Sequence, residues 1–435
     1  MNSLSNYLQF PAGTDLLSRW QAGGKSAQVK LRALFDAAMK GEFDAIFCEP
    51  APTDSVSVTA SLHMLILTIL NQLYGLTSAD FYKDDPQRYV RTTLITQRLL
   101  GIRKLTLHWP AYAFGAEALG QAMLYPEKHV PGVDAGKPLL NRKTWQELGT
   151  PNFRGIIPQI IEEMLVCFSD LTSREPVAHI PAPYSLAADI FGQEALLFAL
   201  MDEPDFVNDL LAHLTEQVFV PWCTHLSQCI PNIWIELSDA SGSPVFIGPD
   251  LFRKFAAPPV HHLIRDFPWG ERVFVANYRG DMPMGHIGGN EQGKVETESN
   301  NAKSATDALV ELINYKLSLC PGFIIKLDAD KAHFSIYVEQ AIQLRKPLTL
   351  GIGATRIDRN SIVDRDKTKQ EIKKLATDYA RAIKTVSEAL TIDGCPNLDL
   401  PSPCGIYIED INAESDLEMV KTIIEMAAIH GKKFP

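Results

Sequence analysis

No stretch of the 435 residues approaches the roughly 18 uninterrupted apolar residues that a membrane-spanning helix requires. The longest candidate, Leu62 to Leu70, is broken by His63 and Thr68. The first 18 residues lack a basic segment followed by an apolar run and a small-residue cleavage site, so the sequence predicts a cytoplasmic protein without a membrane span. Positive charge is also scarce. Lys+Arg 41 against Asp+Glu 52 gives a formal net charge of -11, the wrong sign for a surface that neutralises phosphates, which argues against a nucleic-acid partner. There is no C-x-x-C pair among the seven cysteines, no internal repeat and no phosphate-cradling G-x-x-x-x-G-K-[ST]. Isolated cysteines in a reducing compartment read as buried thiols unless a particular one is argued otherwise.

What is present is an alternation of helical and strand-like segments. Ala27–Lys40 places Leu31, Leu34, Phe35 and Met39 at helical spacing and ends before Gly41. Asp44–Cys48 (DAIFC) then reads as a short strand. The alternation recurs through Val177–Ile180, Ile233–Leu237, Arg272–Ala276, Phe323–Leu327 and Leu348–Gly351 as strands, each followed by a helical segment, and closes with Pro401–Ile406 and a helix over Ser415–His430. The strands are short and continuously apolar, as expected where both faces are covered. Strands at about residues 45, 105, 178, 234, 273, 324, 349 and 403 predict about eight β/α units, the pattern of a (β/α)8 TIM barrel. The expected organisation is an N-terminal helical extension over 1–26 and one barrel domain over 27–435, with an inserted polar loop at about 285–303. A doubly wound open sheet is the competing architecture.

In a barrel the chemistry sits on loops after the strands' C-terminal ends. Ser238 and Asp239 follow one strand, Asn277, Tyr278, Arg279, Gly280 and Asp281 the next, and Asp328 and Asp330 the third. Each has a bland reading, because Asp and Ser cap helices and close Asx turns. Arg279 beside Asp239 suits a bidentate grip on a substrate carboxylate or phosphate, or else an internal salt bridge across the mouth. His286, in GHIGGN, is a candidate lid residue, metal ligand or general acid, or a solvated loop histidine. Cys404, in PSPCGIY, stands at the last strand as a sulfur facing the mouth or as a buried inert thiol.

Several segments resemble the uroporphyrinogen decarboxylase superfamily. Ala182–Glu216, which begins APYSLAADIFG, resembles its "G-P-x-[ST]-L-A" strand end and following helices, and thereby marks Tyr184 and Ser185 as substrate-site candidates. Asp239 followed by IGPDLFRKFAAPPVHHLI resembles its "D-x-x-x-x … P-x-x-F-x-x-F" stretch, and LPSPCGI resembles the "SPGCGI" of its corrinoid:thiol methyltransferase branch. The likeness spans roughly Lys30 to Gly431 and implies a (β/α)8 barrel. True uroporphyrinogen decarboxylases carry "R-Q-A-G-R" after the first strand to clamp tetrapyrrole carboxylates. FCEPAPTDS stands there instead, so Glu49 and Asp54 would meet the acids, and Glu49 remains as a candidate contact for some other substrate.

The methyltransferase branch holds zinc with "H-x-C-G" and the Cys of "PGCG". Aligned on the strand, Asn277 and Arg279 replace that His and Cys, and Asp281 keeps the following acid. Aligned on GHIGGN, His286 keeps the His and Gly288 replaces the Cys. The ligand set is therefore incomplete, and zinc would have to be held by Cys404 with His286, Asp281 or Asp239. The resemblance implies an enzyme that moves a methyl group between a small substrate or thiol and a corrinoid on a partner protein, with Asp239, Cys404 and His286 at the reacting centre. A second reading is a metal-free decarboxylase or lyase of a small carboxylate or porphyrin-related substrate, with Arg279 binding the acid. A third is a non-catalytic barrel that acts as a binding partner.

Overall fold

The computed structural model describes residues 4–50, 55–281, 299–391 and 405–432. The N-terminal part comprises α1 (Ala12–Gln21), α2 (Lys25–Met39), α3 (Asp44–Phe47), β1 (Val58–Ala60), α4 (His63–Tyr74), α5 (Pro86–Leu100) and α6 (Ala111–Ala118). A small ribbon, β2 (Met123–Leu124) and β3 (Gly132–Val133), precedes α7 (Ile156–Thr172), β4 (Val177–Pro181), α8 (Pro183–Phe191), α9 (Gln193–Asp202), α10 (Pro204–Leu214) and α11 (Val220–Cys229). Next come β5 (Trp234–Ser238), α12 (Pro244–Ile247), α13 (Pro249–Leu251), α14 (Ala257–Arg265) and β6 (Val273–Phe274). The chain continues through α15 (Ser299–Leu319), β7 (Ile324–Lys326), α16 (Phe334–Gln343), β8 (Leu348–Ile352), α17 (Arg365–Thr391), β9 (Gly405–Ile408) and α18 (Leu417–His430).

Local chemistry explains the boundaries. In α2, Leu31, Leu34, Phe35 and Ala38 are buried at helical spacing. Asp85 caps α5 by accepting from the Arg88 N–H, Pro86 fills the first helical position, and Gly101 in the left-handed region ends the helix. Gly192, at φ 105°, breaks the segment after β4 into α8 and α9. The prolines at 258 and 259 do not end their helix. A π-turn over Phe252–Ala256 absorbs the irregularity, and the chain re-enters regular helix at Ala257 with Pro258 in the first turn.

Two parallel sheets form the centre, one ordered β1-β9-β8-β7 and the other β4-β5-β6. The last strand thus lies beside the first, with Val58 opposite Ile406 and Ala60 opposite Ile408. The architecture is α/β, with helices packed around parallel strands. A continuous eight-stranded ring is not present among the described residues.

Two expected strands are corrected. DAIFC is the short helix α3, which buries Phe47, and the first strand is instead Val58–Ala60. Five apolar residues cannot distinguish a buried strand from a helical turn by periodicity. The segment near residue 105 forms no ladder, because its polar backbone is claimed by side chains of α5. Gln97 donates to the Thr106 carbonyl and accepts from the Thr106 N–H, and the Tyr89 hydroxyl donates to the His108 carbonyl. Among the described residues no helix is long and apolar enough to cross a membrane.

Candidate functional site

The C-terminal ends of β4 and β5 meet through Asp239. This residue is fully buried, and its Oδ1 accepts the Ser185 hydroxyl at 2.7 Å and the Gly242 N–H at 3.0 Å. Ser185 lies in the first turn of α8, and its oxygen also accepts the Ser241 N–H at 3.1 Å. From the end of β6, Asn277 accepts the Asp239 N–H at 2.8 Å and donates to the Ser238 hydroxyl at 2.9 Å. Burial pushes the Asp239 carboxyl up to about 6, against the opposing pull of the Ser185, Gly242 and Tyr278 donors. Its Oδ2 has no partner of hydrogen-bonding geometry.

One helical turn beyond Ser185, burial and the nearby Asp239 charge push Asp189 up to about 8. Both carboxyls are thus held above the ordinary carboxylate range, Asp189 further than Asp239. Gly242 makes the arrangement possible. A Cβ there would stand 2.6 Å from both Asp239 carboxyl oxygens and 2.8 Å from the Ala256 Cβ. Gly242→Ala is expected to displace the carboxyl and to cost about 1–3 kcal/mol in a urea denaturation comparison. Unchanged stability would show that the turn yields freely.

A second set of groups lies inside the strand ends. His179 of β4 and Glu236 of β5 are register partners, with Nδ1 and Oε2 3.5 Å apart. The His179 ring centroid is 4.7 Å from that of His108 and meets Trp109 edge-on at 5.2 Å, and His108 is 6.4 Å from Tyr407 of β9. His63, at the start of α4, shares a 2.7 Å hydrogen bond with the Tyr82 hydroxyl. Burial drives His63 and His108 down to about 4, holds His179 well below its ordinary value and raises Glu236 to about 8. His63, His108, Glu236, Tyr407 and Asp410 nonetheless keep part of their surface accessible. These polar groups gather around β4, β5 and β9.

Arg279 lies near Tyr407 of this group. Its guanidinium, 35% exposed, pairs at 3.3 Å with Glu409, which follows β9 and is 7% exposed. Glu409 also accepts the Asp328 N–H at 3.1 Å after β7. Burial raises the Glu409 carboxyl, with Arg279 opposing that shift, and the Arg279 Nε is buried without a hydrogen-bond partner.

The structure thus brings Tyr184, Ser185, Asp239, Asn277 and Arg279 to the strand ends, although Arg279 pairs with Glu409 rather than Asp239. Asp281 is a structural anchor. Its carboxylate accepts the Lys331 and Ala332 N–H groups at 2.8 and 2.9 Å and the Tyr337 hydroxyl at 3.0 Å. Glu49 is not at this site. Its carbonyl accepts from Arg174, three residues before β4 begins, which puts it at the opposite end of the strands, a consequence of the misplaced first strand. His286 and Cys404 lie outside the described residues.

The sequence reading missed His63, His108, His179, Glu236, Tyr407, Glu409 and Asp410. The signal available was a titratable residue inside each of two apolar strands, VAHIP and WIELS, where an unpaired polar group is costly.

Two of the residues aligned with the zinc ligands of the resembled superfamily, Asn277 and Arg279, do not suit zinc, while Cys404 and His286 lie outside the described residues. The Asn277 amide is committed to Ser238 and Asp239, and Arg279 presents a guanidinium, a cation without a lone pair to offer.

No protein-family model matches the sequence, and no curated protein matches it. Among solved structures, a methyltransferase from Methanosarcina mazei superposes with a TM-score of 0.55, over 91% of this chain and 97% of that chain, at 15% sequence identity. A likeness at that identity shows a common fold.

Proposed function

We propose that the two parallel sheets are arcs of one (β/α)8 barrel, that residues 27–435 form a single domain behind an extension over 1–26, and that the polar cluster at the strand ends is the active site of a methyltransferase-like enzyme. The observation that carries this reading is the gathering of buried titratable groups around adjacent parallel strands, where barrels conduct chemistry, with Asp239 acting on Asp189 after β5 and with Glu236 and Arg279 both acting on Tyr407 of β9. In this reading a methyl group moves between a small substrate and a corrinoid protein, and the corrinoid supplies the methyl-accepting or methyl-donating cobalt. Asp189, which holds its proton at neutral pH, gives it to the departing heteroatom when the methyl group leaves. Asp239, largely ionised there, orients the substrate or takes the proton back. No step runs through zinc.

Arg279 favours a second reading, a lyase of a small carboxylate, because a partly exposed guanidinium at the strand ends suits an incoming acid. Both readings are tested by incubating the purified protein with reduced cobalamin and small methyl ethers, thioethers and methylamines, and in parallel with small carboxylates. Methylcobalamin formation, followed by its absorbance, is the expected result. Release of CO2 without methylation would transfer the assignment to the lyase, and neither product would overturn both in favour of a binding partner.

A further inference from the structure

On the outer helical layer, Glu162 of α7 lies beside His225 and Cys229 of α11. His225 Nε2 is 2.7 Å from a Glu162 oxygen, and the Cys229 sulfur is 3.7 Å from both ring nitrogens. One ligand atom from each residue lies within 4.8 Å of the others, and no other such trio of His, Cys, Asp and Glu occurs among the described residues. We propose that these three side chains form a binding site for a divalent metal ion of the zinc class, separate from the polar cluster at the strand ends.

The placement follows from helix geometry. Residues four apart share one face, so His225 and Cys229 point the same way, and Glu162 enters from the neighbouring helix. Zinc binds nitrogen at about 2.0–2.1 Å, thiolate at about 2.3 Å and carboxylate at about 2.0–2.2 Å, so tetrahedral edges fall at about 3.3–3.6 Å. The sulfur-to-nitrogen spacing of 3.7 Å is close to that edge, the Glu162 contact must open by about 0.7 Å, and Cys229 must turn about its Cα–Cβ bond, because a sulfur equidistant from both ring nitrogens lies off the lone-pair direction of Nε2. Phe153 stacks on His225 with centroids 4.1 Å apart and planes 6° apart, which fixes the ring while its nitrogens stay at the edge. Cys229 is exposed, leaving a fourth position for water.

An imidazole, a thiolate and one carboxylate select zinc, cobalt or cadmium over magnesium or calcium, which prefer all-oxygen sites. On binding, the Cys229 thiol gives its proton to solvent, a sulfur–metal bond forms, and His225 carries its remaining proton on Nδ1. The ion would tie α7 to α11, the helices that lead into β4 and β5, and so brace the strands that carry His179 and Glu236.

Titration of the reduced full-length protein with Co2+ tests the site. A stoichiometric thiolate-to-cobalt charge-transfer band that Zn2+ displaces is expected. Cys229→Ser should abolish the band, and Glu162→Gln should weaken binding by at least about tenfold, with circular dichroism unchanged in both. Absence of the band in the natural protein, or its persistence in Cys229→Ser, would overturn the proposal.

Discussion

Asp239→Asn lowers turnover by a factor of about 100 or more, the scale of a lost acid or base, while the chain stays folded. The asparagine oxygen still accepts from Ser185 and the Gly242 N–H, so the turn after β5 keeps its hydrogen bonds. The new amide nitrogen occupies the place of Oδ2, which has no partner, at a cost of about 1–3 kcal/mol. Removing a buried carboxylate that is largely ionised at neutral pH offsets much of that cost. Rates in the assay described above, with urea denaturation of both forms, separate the two effects. An Asp239→Asn protein with full turnover would remove Asp239 from the chemistry, and one that fails to fold would make it a structural residue.

Folding stability falls as pH rises from about 6.5 to 8. Asp189 and Glu236 are raised from 3.8 and 4.5 to about 8, so the folded state keeps protons that the unfolded state has already lost. Each such proton makes stability decline with pH by about 1.4 kcal/mol per unit until the folded group ionises. The buried histidines act in the opposite sense. His63 and His108 are lowered from 6.5 to about 4, so the unfolded state binds protons first and their contribution to stability is lost as pH falls from 6.5 to 4. Below 6.5 the two sets oppose each other, together with Asp239, which acts between about 4 and 6. Above 6.5 the carboxyls and His262, which is raised, against the pull of burial, by its hydrogen bonds to Asp266 and Glu216, act in the same sense, and the carboxyls' share of the expected loss by pH 8 is about 3 kcal/mol, about half of it absent in Glu236→Gln. Urea denaturation at constant ionic strength measures it. Stability that rises over this interval would show that these carboxyls are ionised in the folded protein.

The segment around β4 was legible because its signals are local. An apolar strand runs into Pro183 at the first position of α8, and Gly192 closes that helix. The candidates after β5 and β6 were legible for the same reason, since each follows a strand end directly. His63 and His108 were not, because they meet His179 only after the chain has crossed several helices, and no spacing in the sequence encodes that approach. The partner of Arg279 was hidden likewise, since Glu409 follows the last strand, 130 residues further along the chain. The segment near residue 105 failed as a strand through tertiary override, when Gln97 and Tyr89 took its backbone hydrogen bonds.

A crystal of the protein soaked with whichever compound turns over in the methyl-transfer or carboxylate assay tests the central claim most directly. New density is expected in contact with Arg279 and Glu236 and reaching toward Asp239 at the ends of β4, β5 and β6. Density confined to another part of the surface, with none beside these residues, would contradict it.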